Sequence, residues 1–351
     1  MRALVALAVV ALAILGALLH PLALLLSLLP FQTGGLQAFL TSSKFVIADV
    51  LGWAVVALLV VMLALVIRGR IAPQRRGGSH GSLSLMGSTR MVVGIIAYNE
   101  AEAIAQLVHD FSAQPGVIQV IVVDNNSSDG TGELARAAGA RTVREPKQGY
   151  GYACIRALHE GALVQEADVV ILVEGDGTFA PTDLSKFQAY IDQADIVVGT
   201  RVVRSLVEDG SQMDYFFTWG NIAVGALLRL RFWHSQFLGA ASISDVGCTY
   251  RAIRKRALEL ILPDLVVGAN HFSPHMLLVA LYRGLSLIEI PVTLHRRIGE
   301  SKGAGRSFRA GLQVGLVMIW HILTYAPPGS RFQVAQPAPD GLSPAGKSEV
   351  R

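Results

Sequence analysis

The sequence predicts an α/β domain built on a mostly parallel sheet and preceded by a transmembrane helical hairpin. Three observations predict it. Short apolar, β-branched runs alternate with stretches of helical spacing between residues 90 and 307. Each of those runs ends in a cluster of polar residues. Two much longer apolar runs stand at the N-terminus. Composition agrees with this division. The 351 residues are 52% hydrophobic and only 16% charged, with a mean hydropathy of +0.46, too apolar for an ordinary soluble enzyme. A net charge of +4 and a pI near 9.2 suit a surface beside anionic lipid. No dense Lys/Arg run is interleaved with aromatics, so nucleic acid is not an expected partner. Cys154 and Cys248 cannot make a disulfide framework, and without a CxxC or Cys/His cluster they read as reduced, packed side chains.

Residues 1–76 form the hairpin. Ala3 to Leu29 is nearly unbroken Leu, Ala, Val and Ile, and Val46 to Ile67 is a second such run. Each is long enough to cross a bilayer core as a helix. The first run exceeds the apolar core of a signal peptide, and no small-residue cleavage site precedes Pro30. Arg2 lies before the first run, and Arg68, Arg70, Arg75 and Arg76 follow the second, whereas the loop between them carries only Lys44. The positive-inside rule then puts both ends, and everything after Arg76, in the cytoplasm. Residues 77–89 are a Gly- and Ser-rich linker, and residues 327–351 are a Pro-, Gly- and Ala-rich disordered tail.

Within the domain, Met91 to Ala97 reads as a strand followed by Tyr98-Asn99-Glu100, and Ala101 to Phe111 as a helix. Val117 to Val123 is a second strand ending at Asp124-Asn125-Asn126-Ser127-Ser128-Asp129-Gly130-Thr131. Val169 to Val173 ends at Glu174-Gly175-Asp176, and Asp195 to Val198 ends at Gly199-Thr200-Arg201. In a parallel sheet, ligands bind beyond the carboxyl ends of the strands, where all four clusters fall. The first strand is not followed by GxGxxG, which argues against a dinucleotide-binding dehydrogenase. Glu174 and Asp176 supply hard oxygen ligands suited to Mg²⁺ or Mn²⁺ on a diphosphate.

These clusters, together with Lys147-Gln148-Gly149-Tyr150-Gly151-Tyr152, Ser244-Asp245-Val246-Gly247-Cys248-Thr249-Tyr250-Arg251 and Arg297-Ile298-Gly299-Glu300-Ser301-Lys302, come in a specific order. From Met91 to Lys302 the chain resembles the inverting GT-A glycosyltransferases of family 2, in particular the polyprenyl-phosphate sugar transferases. The resemblance implies a GT-A (Rossmann-like) fold and transfer from a UDP- or GDP-linked sugar to a polyprenyl-phosphate lipid. It implies that Ile96, Tyr98, Glu100, Asp124, Asn125 and Lys147 serve the nucleotide-sugar. Asp176, helped by Glu174, would be the metal ligand on the donor diphosphate. Arg201, Lys302 and Asp245 would be the catalytic group, and Arg251 and Arg297 would hold phosphate. The chain departs from the family pattern in having Ile96 for the usual Pro, ExD for DxD, and Thr178 where a longer polar group is usual.

An acceptor that is a lipid phosphate is already anionic and needs no base, so Asp245 would position sugar or acceptor; with a hydroxyl acceptor it becomes the candidate base. Phe216 to Phe237 mixes Trp and Phe with Arg, and residues 308–326 form a further apolar helix too short to span; both suit a membrane interface or a packed helix. His271 and His275 flank Pro274, with no acidic third ligand, and read as structural. Two other functions compete. A processive polysaccharide synthase would carry a QxxRW-type motif and further spans, and Arg229-Leu230-Arg231-Phe232-Trp233 is not that motif. A catalytically silent nucleotide- or lipid-binding scaffold draws on the ExD departure alone.

Overall fold

The computed structural model describes residues 89–211, 213, 215–232, 243–299 and 308–327. The expected hairpin at 1–76, the linker up to residue 88, Lys302 and the tail from residue 328 lie outside these residues. Among the described residues no helix is long and apolar enough to cross a membrane.

The elements run in the order β1 (Met91–Ala97), α1 (Ala101–Ser112), β2 (Val117–Asp124), α2 (Thr131–Ala137), β3 (Arg141–Arg144), α3 (Tyr150–Ala162), β4 (Val169–Glu174), α4 (Leu184–Ile191), β5 (Ile196–Thr200), α5 (Tyr215–Arg231), β6 (Arg251–Arg254), α6 (Lys255–Ile261), α7 (Phe272–Tyr282), β7 (Leu287–Pro291) and α8 (Phe308–Thr324). The seven strands form one sheet in the order β3-β2-β1-β4-β6-β5-β7. All neighbouring pairs are parallel except those of β6, which runs antiparallel to both β4 and β5. The α/β, mostly parallel sheet expected from the sequence is therefore the one adopted.

β1 is buried along its whole length because helices cover both faces. The two-residue period sorts its side chains. Val93 and Ile95 face the cluster built with α1 and α4, and Ile96 faces the one built with α3, α6 and α7. β4 divides in the same way, Ile171 and Val173 to one side and Val170 and Leu172 to the other. α5 packs by Val224 and Leu228 into the α3 side and leaves Trp219 66% exposed. Buried Arg231 at its end donates to the carbonyls of Ile322 and Tyr325 and to the Tyr282 hydroxyl, which fastens the C-terminal end of α8 to the domain.

The direction of β6 decides what reaches the site. An antiparallel strand begins at the edge where its parallel neighbours end. The segment from Ile243 to Tyr250, which enters β6, is thereby delivered to the carboxyl edge beside Glu174 and Arg201.

The start of α3 lies against the backbone at Val267 and Gly268, where the Gly151 N–H donates to the Gly268 carbonyl at 2.9 Å. A Cβ on Gly151 would stand 2.1 Å from the Val267 carbonyl oxygen, a backbone atom that cannot turn aside. Gly151→Ala is expected to lower stability by about 1–3 kcal/mol through overpacking, read as a lower midpoint in thermal unfolding of the detergent-solubilised protein.

Candidate active site

The first wall of the site is the turn after β1. Asn99 takes the left-handed conformation at φ 54°, which Asn tolerates better than most residues. Its N–H donates to Ser127 Oγ at 2.9 Å, and its Oδ1 accepts from the Ser128 N–H at 2.8 Å. The Glu100 N–H donates to Thr131 Oγ1 at 2.8 Å, and the Ala101 N–H to Asp129 Oδ2 at 3.1 Å. The Ser/Asp/Thr run after β2 is thus spent on backbone donors at the end of β1. Asp124 accepts the Ser127 N–H at 2.9 Å, and a Cβ on Gly132 would meet its Oδ2 at 3.0 Å. Asn125 is a spacer: its Nδ2 donates to the carbonyls of Glu145 and Lys147, and its Oδ1 accepts from the Gly149 N–H at 2.9 Å. It holds the loop that carries Lys147, whose Nζ lies 5.6 Å from the centre of the Tyr152 ring.

The second wall is the end of β4. Asp176 is buried, and its Oδ1 accepts from the Thr178 N–H and hydroxyl at 3.1 and 2.6 Å. Its Oδ2 pairs with Arg297 Nη1 at 2.5 Å, while Nη2 of the same guanidinium pairs with Glu100. One cation therefore bridges the ends of β1 and β4. Glu174 lies within the same group, and its Oε1 accepts from Thr249 Oγ1 at 2.5 Å. Thr249 is 2.5 Å from the Tyr150 hydroxyl, which is 3.0 Å from Ser273 Oγ. Burial, and after it the charge of Asp176, raise the Glu174 carboxyl to about 7. The longer Glu of the ExD pattern reaches the incoming Thr249 here.

The third wall is Arg201 with Asp245. The Arg201 backbone N–H and Nε donate to Asp245 Oδ2 at 3.1 and 2.8 Å, and Nη2 donates to Oδ1 at 2.9 Å. The Gly247 N–H adds a fourth donor at 3.2 Å. Asp245 is fully buried. Burial alone would raise its carboxyl, but the Arg201 charge and these donors outweigh it and hold it below the usual range. Behind the pair, Ser244 Oγ lies 3.1 Å from Thr200 Oγ1. Arg251, expected at phosphate, is instead buried with its three nitrogens on the carbonyls of Cys248, Ser273 and Val246. It braces the Val246–Cys248 turn against α7. Lys302 lies outside the described residues.

The walls enclose a cleft of about 570 Å³. Ile96, Tyr98, Glu100, Asn125, Asp176 and Arg297 line it at the strand termini, with Glu174, Tyr150 and Arg201. Its apolar lining is made by Phe217 and Val224 of α5 and Leu312, Leu316 and Ile319 of α8, with Met213. His275 stands apart, its Nδ1 3.1 Å from His321 Nε2 and its Nε2 3.1 Å from the Asp264 carbonyl oxygen, between α7 and α8. Sequence reasoning missed Thr249 as the partner of Glu174 and Tyr150 as the partner of Thr249, although both stand in segments it singled out.

Among the described residues no three His, Cys, Asp or Glu side chains converge as a ready metal site. The donor set nonetheless fits a hard divalent cation. Glu174, Asp176 and Glu100 crowd negative charge around one guanidinium, and two protein carboxylates leave coordination positions for diphosphate oxygens and water.

Two outcomes follow from these pairings. Arg201→Ala leaves Asp245 buried without its cation and is expected to cost about 3–5 kcal/mol in thermal or denaturant unfolding, part of which Asp245→Ala in the same chain restores. Glu174, raised from 4.5 to about 7, stabilises the fold fully below pH 4.5, and that contribution is lost as pH rises through 7. In EDTA, the unfolding midpoint of the wild type should therefore fall between pH 5 and 8 relative to Glu174→Gln; parallel curves would refute the shift.

Comparison with known proteins adds to this geometry. The family model for glycosyl transferase family 2 matches residues 92–262. The polyprenol monophosphomannose synthase of Mycolicibacterium smegmatis is 28% identical over 249 residues, covering 68% of this chain and 90% of that protein. The dolichyl-phosphate hexose transferase of Haloferax volcanii is 31% identical over 207 residues, covering 58% of this chain and 82% of that protein. Among solved structures, glucosyl-3-phosphoglycerate synthase from Mycobacterium tuberculosis, in complex with Mn²⁺, UDP and phosphoglyceric acid, shares the fold at a TM-score of 0.51 and 17% identity, covering 74% of this chain and 87% of that one. With a strand-end cleft of this kind on a mostly parallel sheet, and relatives matched over most of their length, the chain belongs to the family 2 glycosyltransferases.

Proposed function

We propose that this glycosyltransferase moves a sugar, with inversion, from a UDP- or GDP-linked donor to a polyprenyl-phosphate lipid at the cytoplasmic face of a membrane. The observation that carries the reading is that one cleft joins charged lining from the strand termini with apolar lining from α5 and α8. A lipid phosphate joins the same two characters, an anionic head on an isoprenoid chain. The names of the two relatives, a polyprenol monophosphomannose synthase and a dolichyl-phosphate hexose transferase, support the same acceptor class.

In this reading Tyr98, Glu100 and Asp124 hold the nucleoside, with Ile96 beside them and Asn125 keeping the Lys147 loop in place. Glu174 and Asp176 hold Mg²⁺ or Mn²⁺, which when bound neutralises the leaving diphosphate. Arg201, oriented by Asp245, offers its guanidinium to a phosphate in the cleft, and Arg297 and Lys302 add positive charge. Asp245, saturated by donors and held below the usual carboxylate range, is a poor proton acceptor. That favours an acceptor oxygen that is already anionic. Trp219 on α5 and Phe308, Leu316 and Trp320 on α8 are exposed and suit the membrane interface, and the two apolar runs within 1–76 are proposed as the anchor.

The test is transfer of radiolabelled sugar from a panel of UDP- and GDP-sugars to polyprenyl phosphate in membranes, with Mn²⁺ or Mg²⁺. Label should enter lipid from one donor and vanish with EDTA, and Asp176→Ala should lower kcat by about 10²-fold or more. Metal-dependent donor hydrolysis without labelled lipid would move the acceptor to another molecule. No turnover and no donor binding with any nucleotide-sugar would leave the scaffold reading.

A further inference from the structure

Glu289 sits in the middle of β7, the edge strand beside β5. Its carboxylate does not face solvent alone. Oε1 accepts the N–H groups of Ser244 and Asp245, each at 2.8 Å. Oε2 accepts the Ser244 N–H at 2.9 Å and the Ser244 hydroxyl at 2.7 Å. Two successive backbone N–H groups thus converge on one anion, as in a nest. Ser244 and Asp245 lie in no strand or helix, so no ladder bonds fix these donors. The carboxylate takes the ladder's place.

The consequence passes to the cleft. Asp245, whose backbone is pinned by Glu289, turns both side-chain oxygens to Arg201. Arg201 lines the cleft. A carboxylate on β7 therefore fixes, through two bonded steps, the position of a cation that faces the ligand. Burial raises the Glu289 carboxyl while the Ser244 and Asp245 donors oppose it, so the fold keeps this group despite a desolvation cost.

We propose that Glu289 is a positioning residue for sugar transfer, holding the Ser244–Asp245 backbone so that Asp245 presents Arg201 to the phosphate in the cleft. This rests on the proposed function, in which Arg201 meets a phosphate.

Glu289→Ala and Glu289→Gln separate positioning from general support. Glu289→Ala should lower kcat about 50-fold, since misplacement of about 1 Å can cost 10²-fold. The KM for donor should stay within about threefold, because the nucleoside contacts lie at β1 and β2. Glu289→Gln keeps a carbonyl oxygen for the two N–H groups and should recover kcat to within about fivefold of wild type. A structural role alone would lower the unfolding midpoint of Glu289→Ala and leave kcat of the folded enzyme unchanged, which would overturn the proposal. Amide hydrogen exchange reads the clamp without turnover. Protection at Ser244 and Asp245 should fall at least tenfold in Glu289→Ala, while that at Asn99 and Ser127 holds; unchanged protection at Ser244 and Asp245 would also overturn it. Should Glu289→Ala fail to fold, Glu289→Asp draws the carboxylate back by one methylene from both N–H groups, and wild-type kcat together with wild-type exchange at Ser244 and Asp245 would refute the role. A wild-type enzyme that transfers no sugar defeats the functional reading instead, and the exchange measurement still decides the clamp.

Discussion

The site depends on how buried carboxylates are neutralised. Three of them, Glu100, Asp176 and Asp245, gather with half-buried Glu174 at one edge of the sheet, and each unpaired buried charge there would cost several kcal/mol. Asp245 has Arg201 as a bidentate partner. Glu100 and Asp176 share Arg297. Glu174 has a hydroxyl partner in Thr249, and its carboxyl rises to about 7. The guanidinium groups are therefore part of the architecture as well as candidates for phosphate. Removing either one changes the fold's stability and the field in the cleft together.

The sheet explains why these groups meet. Parallel β1, β2, β4 and β5 all end at one edge, which gathers Glu100, Asp124, Glu174 and Arg201. A purely parallel sheet would bring in the next segment from the far edge. The antiparallel β6 between β4 and β5 reverses this and delivers residues 244–250 to the ligand edge. Thr249 can then reach Glu174, and Asp245 can reach Arg201. β7, on the other side of β5, adds Glu289 to hold that segment still.

Much of this was legible in the sequence because burial leaves a pattern. β1, β2, β4 and β5 are apolar runs with polar ends, and their boundaries emerge within a residue or two of the structure. β3, β6 and β7 were not legible. β3 and β6 are four-residue strands bounded by arginines, Arg141–Arg144 and Arg251–Arg254, and neither shows an apolar run. Arg251 illustrates the limit: its place in the sequence suggested a phosphate ligand, but only burial reveals that its nitrogens go to three carbonyls. Pairing is likewise invisible in sequence. Arg201 and Asp245 are 44 residues apart, and nothing in either segment tells that they bind each other before they bind a ligand. Glu289 lies in Leu287–Pro291, a segment the sequence reading passed over, and its backbone partners at Ser244 and Asp245 leave no mark in the sequence.

The apolar lining of the cleft bears on the chemistry of its charged lining. α8 supplies Leu312, Leu316 and Ile319 to the cleft, and it is tied to the domain at its C-terminal end by Arg231, which reaches from the end of α5 to the Ile322 and Tyr325 carbonyls. A helix carbonyl end favours a cation, so the guanidinium is well placed there. The wall it holds puts hydrocarbon on the same cleft as Arg201 and Asp176. Charges across a poorly hydrated gap interact more strongly than across water. An anionic head drawn to the guanidinium side would therefore bring its chain against α5 and α8, and the chain would exclude water from the charges that hold the head. Charged and apolar lining would then reinforce each other for an acceptor that carries both an anionic head and an apolar chain.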